Sequence, residues 1–225
     1  MAKRKCAMMK KGYLIDIQGE EACWSICKGE RVSYDVPTPT AICGLVESIL
    51  WKPAIRWVVD EIHAIDIGRP SSERRNEIED FKIVTNKKTG KPNPFKTIQV
   101  NSLIRKAFPG RKLHYRARIH FEMTAKAGER DSFEKFNAMF LRRIRGGESF
   151  DRPYLGLRHC PAEVGLIEDE SKMEPTLRLT RSGRMLLSFD RKDPKSPRPM
   201  FFSANMIDGV ISVPDVVIQD SREVV

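Results

Sequence analysis

An α+β fold is predicted for this 225-residue chain by three observations. Strand-like and cap-bounded helical stretches follow one another as strand, helix, strand, and they do so twice. A long polar stretch broken by Gly and Pro separates the two units. Apolar runs around a strong hairpin turn follow them. Two such halves make a split βαβ, ferredoxin-like domain. The expected organisation is residues 1–169 as that domain, with an insertion at about 69–110, and 170–225 as a C-terminal antiparallel β extension.

The first strand is Tyr13 to Gln18, "YLIDIQ", ended by Gly19 and Glu20. Next, "RVSYDVPTPT" leads into "AICGLVESILWKP". Thr38 is suited to N-cap a helix, with Pro39 at N1, where a missing N–H costs nothing. Ile42, Leu45, Val46, Ile49 and Leu50 then recur at helical spacing. Pro53 bars Lys52 from helical geometry and ends the segment. "AIRWVVDEIHAIDI", Ala54 to Ile67, predicts a long strand with Ile55, Trp57, Val59, Ile65 and Ile67 on one face.

Residues 69–110 read as a long, partly mobile insertion, with "SERRNE" in a loop and "IQVNSLIRKAF" as a short helix or strand. "KLHYRARIHFEMT", Lys112 to Thr124, alternates cleanly. Leu113, Tyr115, Ala117, Ile119, Phe121 and Met123 face a core, and His114, Arg116, Arg118, His120 and Glu122 face away. "DSFEKFNAMFLRRIRGG" predicts the second helix, capped by Asp131 or Ser132 and stopped by Gly146-Gly147. "RPYLGLRHCPAEVGLIE" reads as a strand with irregularities at Gly156 and Pro161. Two or three strands are expected in the tail, with Asp208-Gly209 as a hairpin turn.

The formal net charge is +10, from 40 Lys+Arg against 30 Asp+Glu, which favours a polyanionic partner. Five cysteines with no C-x-x-C pair and no zinc-finger histidine spacing point to reduced thiols and a cytoplasmic protein. Cys23 and Cys27 fit one helical face but make a poor metal site. The basic N-terminus leads into no apolar stretch of signal-peptide length, and no window approaches a membrane span.

No P-loop, G-x-G-x-x-G or G-x-S-x-G is present. His114 and His120 lie about 20 Å apart along one strand, too far to share an ion, so neither metal nor cofactor is expected. What remains is basicity interleaved with aromatics, the composition of single-strand binders. Arg31, Ser33 and Tyr34 stand just ahead of the first helix. Lys52 and Arg56 sit between Trp51 and Trp57, the tryptophans being read as core residues. Arg74, Arg75 and Asn76 fall in the insertion. Arg116 and Arg118 lie on the alternating strand, and Arg142, Arg143 and Arg145 end the second helix. Convergence of these cations into one trough is the expectation.

Metal-free RNA cleavage needs a base for the 2′-hydroxyl, a cation for the crowded phosphate and an acid for the leaving 5′-oxygen. Lys135 on the basic helix is the candidate phosphate stabiliser. His120 and Tyr34 are the candidate proton carriers.

"ERVSYDVPTPTA", "ESILWKPAIRWVVDEIH", "RRNEI" and "HFEMTAKAGERD…FLRRIRGGESF…PYLGLR" resemble the type I-C CRISPR-associated Cascade subunit of the Cas-five family, subtype d, within the RAMP superfamily. The likeness runs from about Tyr13 to about Asp169, with an echo in "PMFFSANMIDGVISVP". It implies an RNA-recognition-motif-like domain that binds the 5′ handle of CRISPR RNA at one end of a surveillance complex. The implied partners are that RNA, backbone Cas-seven-type and large Cas-eight-type subunits and, indirectly, target DNA. It also implies metal-independent processing of precursor RNA at the base of the repeat hairpin. Members use a tyrosine before "WKP" and a Lys-His pair at the start of the second helix. Here Leu50 takes the tyrosine position, Lys135 is kept, and Phe136 takes the histidine position. An "RQQR"-like stretch is replaced by "VNSLIRKAF". A processing endoribonuclease and a non-cleaving RNA-binding Cascade subunit both stay open; nonspecific binding to double-stranded DNA is the weaker third reading.

Overall fold

The computed structural model describes residues 12–25, 31–78, 97–172, 175–190 and 197–214. The basic N-terminus, Cys6, Cys27 and the centre of the insertion, 79–96, lie outside the described residues.

The chain has a mixed α/β architecture dominated by antiparallel strands. In order come β1 (Tyr13–Gly19), β2 (Glu21–Ala22), α1 (Pro39–Ile49), β3 (Ile55–Asp66), β4 (Arg69–Ile78) and β5 (Thr97–Lys106). Then follow β6 (Leu113–Met123), α2 (Phe133–Gly146), β7 (Glu163–Ile167), β8 (Arg181–Asp190), β9 (Arg198–Ile207) and β10 (Val210–Ser212). Seven strands form one sheet in the order β7-β1-β6-β3-β10-β9-β8, and β2-β5-β4 form a second.

Both helices start and stop as their local chemistry dictates. The Thr38 hydroxyl accepts from Ala41 N–H at 3.2 Å, with Pro39 beginning α1. Ser132 accepts from Lys135 N–H at 3.2 Å, and Gly147 closes α2 in the left-handed region at φ 65°. Ile42, Leu45, Val46 and Ile49 of α1 and Phe136, Phe140 and Ile144 of α2 are buried against the sheet. An aromatic cluster fills the space under α2. Phe140 lies 4.7 Å from both Tyr13 and Trp57, and Phe133 stacks on Phe121 at 4.7 Å.

Three expectations are corrected. Ile65 and Ile67 do not share the buried face of β3, where Ile62 and Ala64 take over after Val59. The register against β6 shifts between Val59 and Glu61 and again between Ala64 and Asp66, and each shift reverses the side-chain alternation. The insertion is not a loop where it is described, because β4 and β5 pair antiparallel from Arg69↔Lys106 to Ile78↔Thr97. Its polarity reflects a ribbon with little core to cover. The strand expected before Glu163 is absent; residues 152–162 form a looped segment with one bridge, Tyr154↔Pro161. In the tail, Asp208 (φ 48°) and Gly209 (φ 77°) make the tight turn between β9 and β10.

The ribbon leaves the main sheet at Gly68. A side chain there would meet the Lys106 carbonyl at 2.3 Å, and φ is +55°, so both space and backbone require glycine. Arg105 clamps this corner, donating to the carbonyls of Ile67 (2.9 Å) and Gly68 (2.8 Å).

Candidate nucleic-acid interface

The segment ahead of α1 joins several parts of the fold. Ser33 Oγ accepts from Trp24 N–H at 2.9 Å and donates to the Tyr34 carbonyl at 2.8 Å. The Tyr34 hydroxyl donates to the Arg184 carbonyl on β8 at 3.2 Å. Asp35 bonds Arg105 of β5 at 2.9 Å and also pairs with Arg181 of β8. Arg31 forms a two-pronged pair with Glu77 of β4. An arginine, a serine and a tyrosine precede the helix because they fasten it to the ribbon and the tail.

The alternating strand β6 carries its cations on the sheet face away from α2, but neighbouring strands supply carboxylates in register. Asp16 stands opposite Arg116 and Glu61 opposite Arg118, while Glu122 of β6 itself stands opposite Arg56 of β3. Arg116 is 4% exposed and contacts Asp16 at 3.4 Å, which corrects its reading as a surface contact. Arg118 contacts Glu61 at 3.4 Å and Glu170 at 3.1 Å, and Arg56 contacts Glu122 at 2.5 Å. The fields of Glu170 and Glu61 raise the Arg118 pKa, with Glu170 the stronger. Burial alone would raise the pKa of Asp16, but bonds from His114 and Gln18 and the nearby Arg116 outweigh it and hold the carboxyl below its ordinary value.

On the ribbon, Arg74 and Asn76 are exposed within β4 rather than in a loop. Arg75 turns inward to Glu73 at 2.6 Å and Glu21 at 3.4 Å.

The remaining candidates gather where α1 ends and along α2. Lys135 bonds Asp131 at 2.8 Å, one helical turn earlier, and lies 5.5 Å from the Phe136 ring centre. Lys135 and the Gly128 N–H lower the Asp131 pKa, and Lys52 contributes to the same field. Arg143 donates to the Ile49 carbonyl at 2.7 Å, capping α1, so its role is first structural. Arg145 pairs with Glu168 at 2.8 Å, while Arg142 is held only loosely by Glu148 at 3.7 Å.

The three candidate catalytic side chains do not meet, and the cations do not form a single trough. His120 bonds Asp60 at 2.8 Å on the face opposite the helices. Lys135 is on α2, beyond the sheet, and Tyr34 precedes the other end of α1. Phe136 is 2% exposed and Leu50 0% exposed, so the two positions marked for proton carriers hold buried hydrocarbon. Tyr13, not among the expected site residues, donates its hydroxyl to Asn137 Oδ1 of α2 at 2.7 Å, and burial pushes its pKa up to about 12. It read as a plain strand residue because only the folded chain brings β1 under α2. Trp51 was misread as core; it is 53% exposed, whereas Trp57 is 5% exposed and donates from Nε1 to the Leu50 carbonyl at 2.9 Å.

The part-buried Cys43 and buried Cys160 offer no alternative nucleophile, since desolvation pushes their pKa values up to about 12. Cys23 is buried outside any helix. Among the described residues no group of three His, Cys, Asp or Glu is placed to hold a metal ion, and no helix is long and apolar enough to cross a membrane. A cleft of about 240 Å³ runs between α1 and the 154–156 loop, lined by Thr40, Gly44, Ser48, Ser25 and Tyr154 among others.

Residues 12–214 match the family model Cas_Cas5d, described as CRISPR-associated protein (Cas_Cas5). The chain is 36% identical over 214 residues to the CRISPR pre-crRNA endoribonuclease Cas5d of Mannheimia succiniciproducens, covering 89% of this chain and 93% of that protein. It is 32% identical over 219 residues to the protein of the same name from Thermus thermophilus, covering 89% and 90%. Among solved structures, the functionally uncharacterized SMU1763c from Streptococcus mutans superposes with a TM-score of 0.65 at 20% identity, covering 91% of this chain and 92% of that one. A structure described as a CRISPR-associated protein gives 0.64 at 21% identity, covering 90% and 91%. A chain of a CRISPR RNA-guided surveillance complex gives 0.50 at 11% identity, covering 86% and 90%. The structural likenesses establish the fold, and the sequence match across almost the whole chain establishes the relationship: this chain belongs to the Cas5d family of CRISPR-associated proteins.

Proposed function

We propose that this chain binds CRISPR RNA as a subunit of a surveillance complex and processes precursor CRISPR RNA by metal-independent cleavage at the repeat hairpin. The observation that carries this reading is the 36% identity to a protein named as a pre-crRNA endoribonuclease, over 93% of that protein's length. Lys135 at the first turn of α2 is the phosphate stabiliser in this reading. Its competing carboxylate, Asp131, is only partly buried, and Lys135 is about half exposed, so a phosphate can reach the ammonium. Tyr13 is a further hydroxyl-bearing candidate beside α2, its hydroxyl bonded to Asn137, two residues beyond Lys135.

A ferredoxin-like core of β1, α1, β3, β6, α2 and β7, within residues 1–169, is supported by the order β7-β1-β6-β3. The strands β10, β9 and β8, within residues 170–225, extend it. Cas-seven-type and Cas-eight-type subunits are its proposed partners, and the cytoplasm its proposed location.

The test is incubation of the purified protein with its repeat RNA in EDTA. A single defined cut is expected, slowed about 100-fold by Lys135→Ala. Binding without any cut would sink the enzyme reading. One observation favours the alternative of a non-cleaving RNA-binding subunit: Leu50 and Phe136 are buried and cannot carry protons. That alternative expects Lys135→Ala to weaken binding modestly and leave RNA lengths unchanged.

A further inference from the structure

We propose that Trp51 and Phe150 form a stacking platform for unpaired RNA bases at the C-terminal end of α1; the inference rests on the RNA-binding reading above. Three features carry it.

The first is exposure. Trp24 and Trp57 are 1% and 5% exposed, whereas Trp51 is 53% exposed and Phe150 84%. Phe150 is the most exposed large hydrophobic side chain among the described residues. Neither ring belongs to the core cluster or to the side chains packed against it.

The second is a fixed backbone. Trp51 follows Leu50, which is 0% exposed and whose N–H bonds the Val46 carbonyl at 2.9 Å. The Phe150 and Asp151 N–H groups bond the Ser48 carbonyl at 2.7 and 3.2 Å. Both rings are therefore rooted within one turn of the same helix end, on pinned main chain. A fixed main chain leaves only the side-chain torsions to be ordered when a base stacks on the ring.

The third is charge. A helix C-terminus repels phosphate, but here Arg143 and two loop amides occupy its last carbonyls. Lys52 adjoins Trp51, and its field reaches the Asp131–Lys135 pair. Arg142, 68% exposed, projects from α2. Cations for the backbone beside bare rings for the bases is the arrangement that binds single strands with little sequence preference.

The experiment follows tryptophan emission while the full chain is titrated at low salt with a 12-nucleotide oligoadenylate, and separately with a paired RNA duplex of equal length. Anisotropy of labelled RNA reports binding independently. With its two fellow tryptophans buried, Trp51 should dominate any quenching. The single strand should quench emission more than the duplex does, and Trp51→Phe should abolish the quench while nearly preserving affinity. Trp51→Ala should weaken binding by about 5- to 150-fold, with a smaller loss for Phe150→Ala. Binding with neither quenching nor loss in Trp51→Ala would overturn the platform and leave the RNA reading standing. Failure of the wild-type chain to bind either this RNA or its repeat RNA would overturn both.

Discussion

The two faces of the seven-stranded sheet are built from the same strands and behave in opposite ways. Toward α2, Tyr13, Trp57, Phe121 and Phe140 interlock, and stability there comes from removing apolar surface from water. On the other face, Arg116, Arg118 and Arg56 meet Asp16, Glu61 and Glu122 across the strands. A basic strand is thus largely neutralised by its neighbours, and a net charge of +10 says little about where unengaged cations stand. Cations less tied to carboxylates lie elsewhere, such as the exposed Arg74 on β4 and Arg142 on α2, 3.7 Å from Glu148.

Substitutions sharpen this contrast. Phe140→Ala should have the largest effect, about 3–5 kcal/mol of lost stability in urea unfolding, because it opens a cavity under α2. Arg116→Ala should cost about 1–3 kcal/mol, since a buried charged partner is removed from Asp16 while His114 still contacts that carboxylate. Equal losses at the two positions would erase the distinction between the faces. A pH series isolates the carboxylate. The Asp16 pKa is depressed in the folded chain, so its contribution is complete above the ordinary value of 3.8 and declines as pH falls below it. Asp16→Asn should flatten that acid limb, and an unchanged slope would argue against the pairing. Arg56→Ala should have the smallest effect, below about 1 kcal/mol, because the pair with Glu122 is partly exposed to solvent. For RNA affinity measured by anisotropy, Arg142→Ala should weaken binding more than Arg118→Ala. The reverse would mean that the paired sheet face opens to the ligand.

Much of the fold was legible because its signals are local. Thr38 and Pro39 start α1, Ser132 and Gly147 bracket α2, and Asp208-Gly209 turns the last hairpin; each acts within a few residues. The strand β3 was legible in extent but not in facing, because one extra residue at Asp60 reverses the alternation and no pattern in β3 alone announces it. The site was less legible. Arg116 and Asp16 are 100 residues apart in sequence, so the strand that neutralises the arginine cannot be read from the arginine's surroundings. Trp51 and Trp57 both sit in "WKPAIRW", yet one is bare and the other buried.

The sequence by itself determined the helices, their caps, the alternation of β6 and, through its long matching stretches, the family. Those properties depend on side chains acting on their own backbone or on the residue type at a given position. Only the tertiary structure decided which arginines are engaged, that Tyr34 and His120 stand apart from Lys135, and which tryptophan meets solvent. Pairing and exposure are set by what distant strands bring alongside, and Coulomb attraction and desolvation respond to that distance in space, not to separation along the chain.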